Sequence, residues 1–157
     1  MPTILLVCAG NTCRSPMAAG LLRDKLNIES PELISPGLQI LTAGLHARAG
    51  MPASDEALTV MREINIDISH HSACQLTDEM IAAADLILTM TISQCLVLRD
   101  RFPYKWNAIY ALGEYTGIEG EVLDPFGQGL NVYRRSLQQL ELMVDRLVDK
   151  IIESKMR

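Results

Sequence analysis

Short apolar runs alternate along this chain with segments whose apolar residues recur every three or four positions. Residues 3 to 8, Thr-Ile-Leu-Leu-Val-Cys, form a continuous apolar run rich in branched side chains. That pattern fits a central parallel strand covered on both faces, and the run is too short for a helix. Leu38 to Ala43, Asp85 to Met90 and Asn107 to Leu112 predict three more strands. Helical patterns lie between them. One helix is headed by Pro16 in its first turn with Ser15 as N-cap, one covers Glu56 to Ile64, a short one begins at Thr77-Asp78-Glu79, and one covers Ser93 to Arg99. The longest runs from Asn131 to Glu153, where Leu137, Leu140, Val144, Leu147, Val148 and Ile151 keep helical spacing and supply a face to pack on the sheet. Residues 113 to 130, Gly-rich and containing Asp-Pro, read as one long irregular segment. Strands alternating with helices predict an α/β fold: a doubly wound parallel sheet with right-handed crossovers, in a single domain spanning residues 1–157.

Composition narrows what such a domain can do. With 157 residues, 48% of them apolar, the chain can bury roughly two thirds of its unfolded surface in one core. A net charge of −5 repels phosphate backbones and anionic lipid, so neither nucleic acid nor a membrane surface is an expected partner. Any anion site must therefore be local. No leader peptide and no apolar run of membrane-spanning length is apparent, and a soluble, cytoplasmic protein is expected. The cysteines, Cys8, Cys13, Cys74 and Cys95, show no C-x-x-C metal spacing and do not read as a disulfide framework, so reduced thiols and no metal site are expected.

The chemistry concentrates in Cys8-Ala9-Gly10-Asn11-Thr12-Cys13-Arg14-Ser15-Pro16. In an open parallel sheet, ligands bind beyond the carboxyl ends of the strands, and the first strand delivers Cys8 to that edge. A tight loop entering a helix aims backbone N–H groups and the positive end of the helix dipole at one point, a cradle for a tetrahedral oxyanion. Arg14 adds a planar fork that takes two oxygens. The same field favours the Cys8 thiolate over the thiol and makes its sulfur a nucleophile at neutral pH. Ser15 is placed to donate a hydrogen bond to that sulfur. Gly10 and Asn11 are residue types that tolerate the positive φ of a tight cradle. A lone cysteine at a strand end would most simply be a small buried hydrophobe, but these neighbours argue otherwise. Neither G-x-G-x-x-G nor G-x-x-x-x-G-K-[ST] occurs at this turn, which argues against a nucleotide site.

Val7 to Ala18 resembles the C-x5-R-S phosphate loop of the low-molecular-weight protein phosphatases. The likeness extends to Thr42-Ala43-Gly44, to Ala84-Asp85-Leu86-Ile87-Leu88-Thr89-Met90 and to Val122-Leu123-Asp124-Pro125-Phe126-Gly127, and so covers nearly the whole chain. The resemblance implies a four-stranded parallel sheet with helices on both faces, a cysteinyl-phosphate intermediate, and neither metal nor cofactor. It further implies phosphorylated protein substrates and a monomer. Catalysis would fall to Cys8, Arg14 and Asp124. Asp124 would protonate the leaving atom and then, as carboxylate, activate the hydrolytic water. Ala9, Gly10, Asn11, Thr12, Cys13 and Ser15 would bind and support the phosphate. Phe126 would line the pocket mouth, His71 would brace the loop from behind, and Cys13 would protect Cys8 reversibly during oxidation.

Substrate choice turns on Thr12. Tyrosine-directed members usually carry isoleucine there, whereas threonine resembles the bacterial protein-arginine phosphatases of the family, whose hydroxyl favours attack on phosphorus bonded to nitrogen. Residues 45 to 50, Leu-His-Ala-Arg-Ala-Gly, offer no ring for a phenyl group to stack on, and Phe126 is followed by Gly127 rather than a second ring. A phosphoarginine guanidinium would welcome an acidic neighbour such as Asp124. Phosphoarginine is the expected substrate, with phosphotyrosine the alternative. Thiol-coupled arsenate reduction would need two more relay cysteines, and Cys74 and Cys95 lie far apart in sequence, the latter on a predicted helix. A non-catalytic phosphoprotein-binding or redox module would have no use for Asp124.

Overall fold

The computed structural model describes residues 2–34 and 37–155. In chain order the elements are β1 (Thr3–Cys8), α1 (Arg14–Glu29), α2 (Pro31–Ile34), β2 (Gln39–Gly44), α3 (Asp55–Glu63), α4 (Asp78–Ala83), β3 (Leu86–Thr89), α5 (Ile92–Arg101), a 3₁₀ helix (Pro103–Ala108), β4 (Ile109–Ala111), α6 (Leu112–Thr116) and α7 (Leu130–Lys155). All four strands run parallel in the order β2-β1-β3-β4. This is the expected α/β architecture, with β1 at the centre.

Strand alternation assigns the two faces. Ile4, Leu6 and Cys8 of β1, with Leu88 of β3, face a core filled by α1, α3 and α7, while Leu5, Val7 and Ile87 face a second core closed by α4 and α5. Cys8 therefore belongs to the α1–α7 side because it is in phase with Ile4 and Leu6. The N-terminal half of α1 is buried on all sides from Arg14 to Leu22. On α7 the buried apolar stripe is Tyr133, Leu137, Leu140, Met143, Val144, Leu147 and Val148: Tyr133 and Met143 join the expected face, and Ile151 at its far end is only partly buried against the core.

Three expectations need correcting. Ser15 is not the N-cap of α1: Cys13 holds that position without a side-chain cap bond, because the Ser15 hydroxyl is turned to the Cys8 sulfur. The fourth strand is only Ile109–Ala111; Asn107 and Ala108 complete the 3₁₀ helix that Pro103 opens. The segment 113 to 130 is not wholly irregular, since α6 runs into it as far as Thr116 and ends on Gly117 in the left-handed region, φ 74°. Two short elements, α2 and the 3₁₀ helix, carry no periodic signal of their own.

Candidate active site

Cys8 ends β1, directly opposite Gly44 of β2. The chain beyond β2 continues to hold the chain beyond β1, because Leu45 N donates to Cys8 O at 3.0 Å and His46 N to Ala9 O at 2.9 Å. A Cβ on Gly44 would lie 2.7 Å from the Ala9 carbonyl oxygen, so glycine at this position lets the two backbones approach. From Ala9 the chain turns through Asn11, at φ 59°, and enters α1 at Arg14. Asn11 takes the left-handed conformation that a short polar side chain tolerates. Gly10, also expected to use it, does not. The N–H groups of Gly10 to Cys13 donate to no backbone carbonyl among the described residues, and they precede a helix N-terminus. Such a run of free donors is suited to an oxyanion.

A relay of hydrogen bonds from outside the loop reaches the sulfur. His71 Nε2 lies 2.6 Å from the Asn11 carbonyl oxygen, and Cys74 N donates to Asn11 Oδ1 at 2.9 Å. Asn11 Nδ2 then donates to Ser15 Oγ at 2.7 Å, and Ser15 Oγ lies 3.0 Å from Cys8 Sγ. Because the Ser15 oxygen already accepts from Asn11, its hydrogen is left for the sulfur. Asn11 and Ser15 are both fully buried, so every polar atom of the relay needs the partner it has. Burial, outweighing the bond to Asn11, pushes His71 below the usual imidazole range and favours its neutral ring.

Arg14 is only 4% exposed. Its Nη1 donates to the Val122 carbonyl at 3.3 Å, and its Nη2 lies 3.5 Å from Asp124 Oδ2. Asp124 sits on a loop fixed at several points: Val122 N donates to Met90 O at 3.1 Å, Leu123 N to Gln139 Oε1 at 2.8 Å, and Ser136 Oγ to Leu123 O at 2.6 Å. Phe126 N donates to Asp124 Oδ1 at 3.1 Å, the Asx turn that an Asp-Pro-x sequence favours. The carboxylate is half exposed and Phe126 is 66% exposed.

These residues meet in one pocket of about 390 Å³, lined by Cys8, Ala9, Gly10, Thr12, Cys13, Arg14, His46, Arg48, Met51, Asp124 and Phe126. Nine expected site residues therefore share it or its wall: Cys8, Ala9, Gly10, Thr12, Cys13, Arg14, Asp124 and Phe126 line it, and Ser15 touches the Cys8 sulfur from behind. The Asn11 side chain and His71 stand behind the loop, off the pocket lining. His46, Arg48 and Met51 also line the pocket, which the sequence of residues 45 to 51 does not signal. Among the lining residues Asp124 is the sole carboxylate and Phe126 the sole phenyl ring.

The arrangement joins a buried sulfur, a cradle of amides, a buried guanidinium and the half-exposed carboxyl group of Asp124. It can accept a phosphoryl group, transfer it to sulfur and protonate what departs. Neither Cys74 nor Cys95 lines the pocket. Cys95 is buried in α5 on the other face of the sheet, and Cys74 points its thiol at the Thr42 carbonyl, 3.2 Å away. Burial pushes both thiols up, which leaves a disulfide relay without partners. Among the described residues, no group of three or more His, Cys, Asp or Glu is placed to hold a metal, and no helix is long and apolar enough to cross a membrane.

Residues 3–157 match the family described as low molecular weight phosphotyrosine protein phosphatase. Among curated relatives, a probable low molecular weight protein-tyrosine-phosphatase, EpsP, of Ralstonia nicotianae is 39% identical over 149 residues, 95% of each chain. A protein-arginine-phosphatase of Geobacillus stearothermophilus is also 39% identical over 149 residues, covering 94% of this chain and 95% of that one. The solved structure of the YwlE arginine phosphatase from Geobacillus stearothermophilus superposes with a TM-score of 0.88 at 37% identity, over 99% of this chain and 96% of that one.

Proposed function

The chain belongs to the low-molecular-weight phosphotyrosine protein phosphatase family and is a cysteine-dependent phosphatase, and from that premise we propose that it hydrolyses phosphoarginine in proteins. Cys8 Sγ attacks phosphorus while the amides of Ala9 to Ser15 and the Arg14 guanidinium hold the non-bridging oxygens. Asp124 gives a proton to the departing guanidine nitrogen. The resulting Asp124 carboxylate then takes a proton from water as its oxygen attacks the phosphocysteine, which releases inorganic phosphate and restores the Cys8 thiolate. The hydrogen of Ser15 supports that sulfur both as nucleophile and as leaving group. No step calls on a metal or cofactor. The intracellular compartment expected for such an enzyme, the cytoplasm, and a monomeric state belong to the same proposal.

The observation that carries the arginine preference is Thr12 on the pocket wall. Its hydroxyl lies 3.7 Å from the Cys13 sulfur, in the loop that begins at Cys8, and Phe126 is the single phenyl ring on the lining. Phosphotyrosine is the second reading, favoured by the tyrosine-phosphatase relative of equal identity and by the charge at the mouth. Arg48 and His46 stand there against a single carboxylate already paired with Arg14, so acidic neighbours are scarcer than a cationic guanidinium would welcome.

The test is a side-by-side measurement of kcat/KM on one peptide carrying phosphoarginine or phosphotyrosine, with Cys8→Ser as the inactive control. Higher kcat/KM on phosphoarginine is expected. The reverse ratio gives the tyrosine reading first place, and full activity of Cys8→Ser removes the covalent mechanism.

A further inference from the structure

Arg48 occupies a position that the phosphoryl-transfer chemistry does not use. It lines the mouth of the pocket, is exposed to solvent, and makes no ion pair among the described residues. The other guanidinium of the pocket, Arg14, is buried and committed to the Val122 carbonyl and Asp124.

The segment bearing Arg48 is held on two sides. Leu45 and His46 bond back to Cys8 and Ala9. Ala47 N donates to Gln75 Oε1 at 2.9 Å, and Gln75 Nε2 donates to the Leu45 carbonyl at 2.8 Å. Gly50 N donates to Ala73 O at 2.9 Å and Ala73 N to Met51 O at 2.8 Å. Between these clamps, Met51 N closes a turn on the Arg48 carbonyl at 3.3 Å. The backbone at Arg48 is thereby fixed relative to Cys8, and a charge presented from a fixed backbone reads its target better than one on a loose loop.

We propose that Arg48 is a specificity-determining residue that receives a carboxylate of the substrate polypeptide, so that the enzyme prefers phosphorylated side chains lying within a residue or two of Asp or Glu. This rests on the phosphatase reading above. A phosphorylated side chain that reaches Cys8 leaves its own backbone at the mouth, and neighbouring residues follow at 3.8 Å per Cα step, within reach of a long arginine side chain. The rest of the molecule sharpens the choice. At a net charge of −5 the protein as a whole repels acidic segments, so their recognition has to come from a local, unpaired cation.

The experiment uses two phosphopeptides identical except for Glu or Gln at the two positions on each side of the phosphorylated residue. Their kcat/KM ratio is measured within one enzyme at a time. For the wild type the Glu/Gln ratio is expected at about 3 to 5 at low ionic strength, the range of an exposed ion pair, and to fall toward 1 in ~0.5 M salt. Arg48→Gln should bring the ratio to about 1, Arg48→Glu should take it below 1, and Arg48→Lys should restore most of it. A ratio unmoved by Arg48→Glu overturns the proposal. p-Nitrophenyl phosphate, which has no flanking residues, separates the two levels. If the wild type turns over neither it nor the peptides, the phosphatase reading fails and this inference with it; turnover with no charge preference overturns Arg48 alone.

Discussion

The hydroxyl oxygen of Tyr133 lies 3.2 Å from the sulfur of Cys13, across 120 positions of sequence. Ser54 closes the contact into a ring: Cys13 Sγ donates to Ser54 Oγ at 3.6 Å and Ser54 Oγ donates to Tyr133 Oη at 3.2 Å, leaving the tyrosine hydrogen for the sulfur. Burial first, then the neighbouring sulfur, push the Tyr133 hydroxyl far above the usual phenol range, so it stays a donor. The phosphate loop, the N-terminus of α3 and α7 are tied together at this point.

We expect this ring to slow oxidative pairing of Cys13 with Cys8. In the protective role expected of Cys13, peroxide would convert the Cys8 thiol to a sulfenic acid and water, and the Cys13 thiol would condense with it to a disulfide and a second water; to do so the Cys13 sulfur must leave Tyr133 and Ser54. Tyr133→Phe removes one hydrogen bond and keeps the ring's bulk. Disulfide formation in peroxide should then speed up about 2- to 10-fold, as one neutral hydrogen bond allows, read as the share of activity that dithiothreitol recovers and as a Cys8–Cys13 linkage by mass mapping. A linkage to Cys74 or Cys95 would remove Cys13 from the role.

Asn11→Asp keeps the shape of the relay and reverses one link. The acceptor for Cys74 N remains, but a carboxylate oxygen replaces the group that donates to Ser15. The Ser15 hydrogen turns from the Cys8 sulfur to that oxygen. A hydrogen bond to a charged sulfur is worth roughly 1.5 to 3 kcal/mol, so kcat should fall about 10- to 100-fold, with slower alkylation of Cys8 by iodoacetamide at the same pH. Unchanged alkylation would mean that Ser15 does not support the thiolate.

Asp124→Asn cannot donate a carboxyl proton. Turnover of substrates with poor leaving groups should fall by ~10² to 10⁴, the range of a lost general acid, and less for an activated aryl phosphate. Equal losses on both would assign the proton to another group. The loop itself should hold, since its anchors are Gln139, Ser136 and Met90.

Thr12→Ile exchanges hydroxyl for methyl chemistry at constant branching and leaves the loop amides and Arg14 in place. Inorganic phosphate should bind and inhibit almost as before. The phosphoarginine/phosphotyrosine ratio of kcat/KM should drop roughly ten- to two-hundred-fold, as one polar contact in the transition state permits. A constant ratio means that Thr12 is a size-matched neighbour only.

His71 gives the fold a pH dependence of stated sign. Its folded value lies below the ordinary 6.5, chiefly through burial. Above ~6.5 the ring is neutral in folded and unfolded chains alike, and its contribution is complete. As pH falls below that point the unfolded chain takes up the proton first, so stability declines until the lower folded value is passed. The urea midpoint of the wild type should exceed that of His71→Gln at pH 7.5, and the gap should narrow toward pH 5. A gap constant across that range would show that His71 does not titrate between the two states.

Much of this molecule was settled by local rules that act on neighbours in sequence. A short branched apolar run fits a strand covered on both faces, Pro16 suits a first helical turn, and 3.6-residue spacing from Leu137 to Val148 calls for a surface to pack on; Cys8 and Arg14 stand out in one local string, and Asp124 is singled out by the resemblance of its own string to the family. What sequence could not place were contacts between strings. The sequence offers Ser15 both as an N-cap and as a donor to the Cys8 sulfur, and the tertiary structure decides for the second: its oxygen accepts from the buried Asn11 amide at 2.7 Å while its hydrogen is left for the buried sulfur at 3.0 Å. Tyr133 lies outside the apolar face that the spacing predicts, and its hydroxyl meets Cys13 only because α7 crosses the phosphate loop; Arg48 joins the pocket because residues 73 to 75 clamp its loop beside Cys8. These outcomes depend on which surfaces meet when the layers close, and no rule that reads a few residues at a time contains that information.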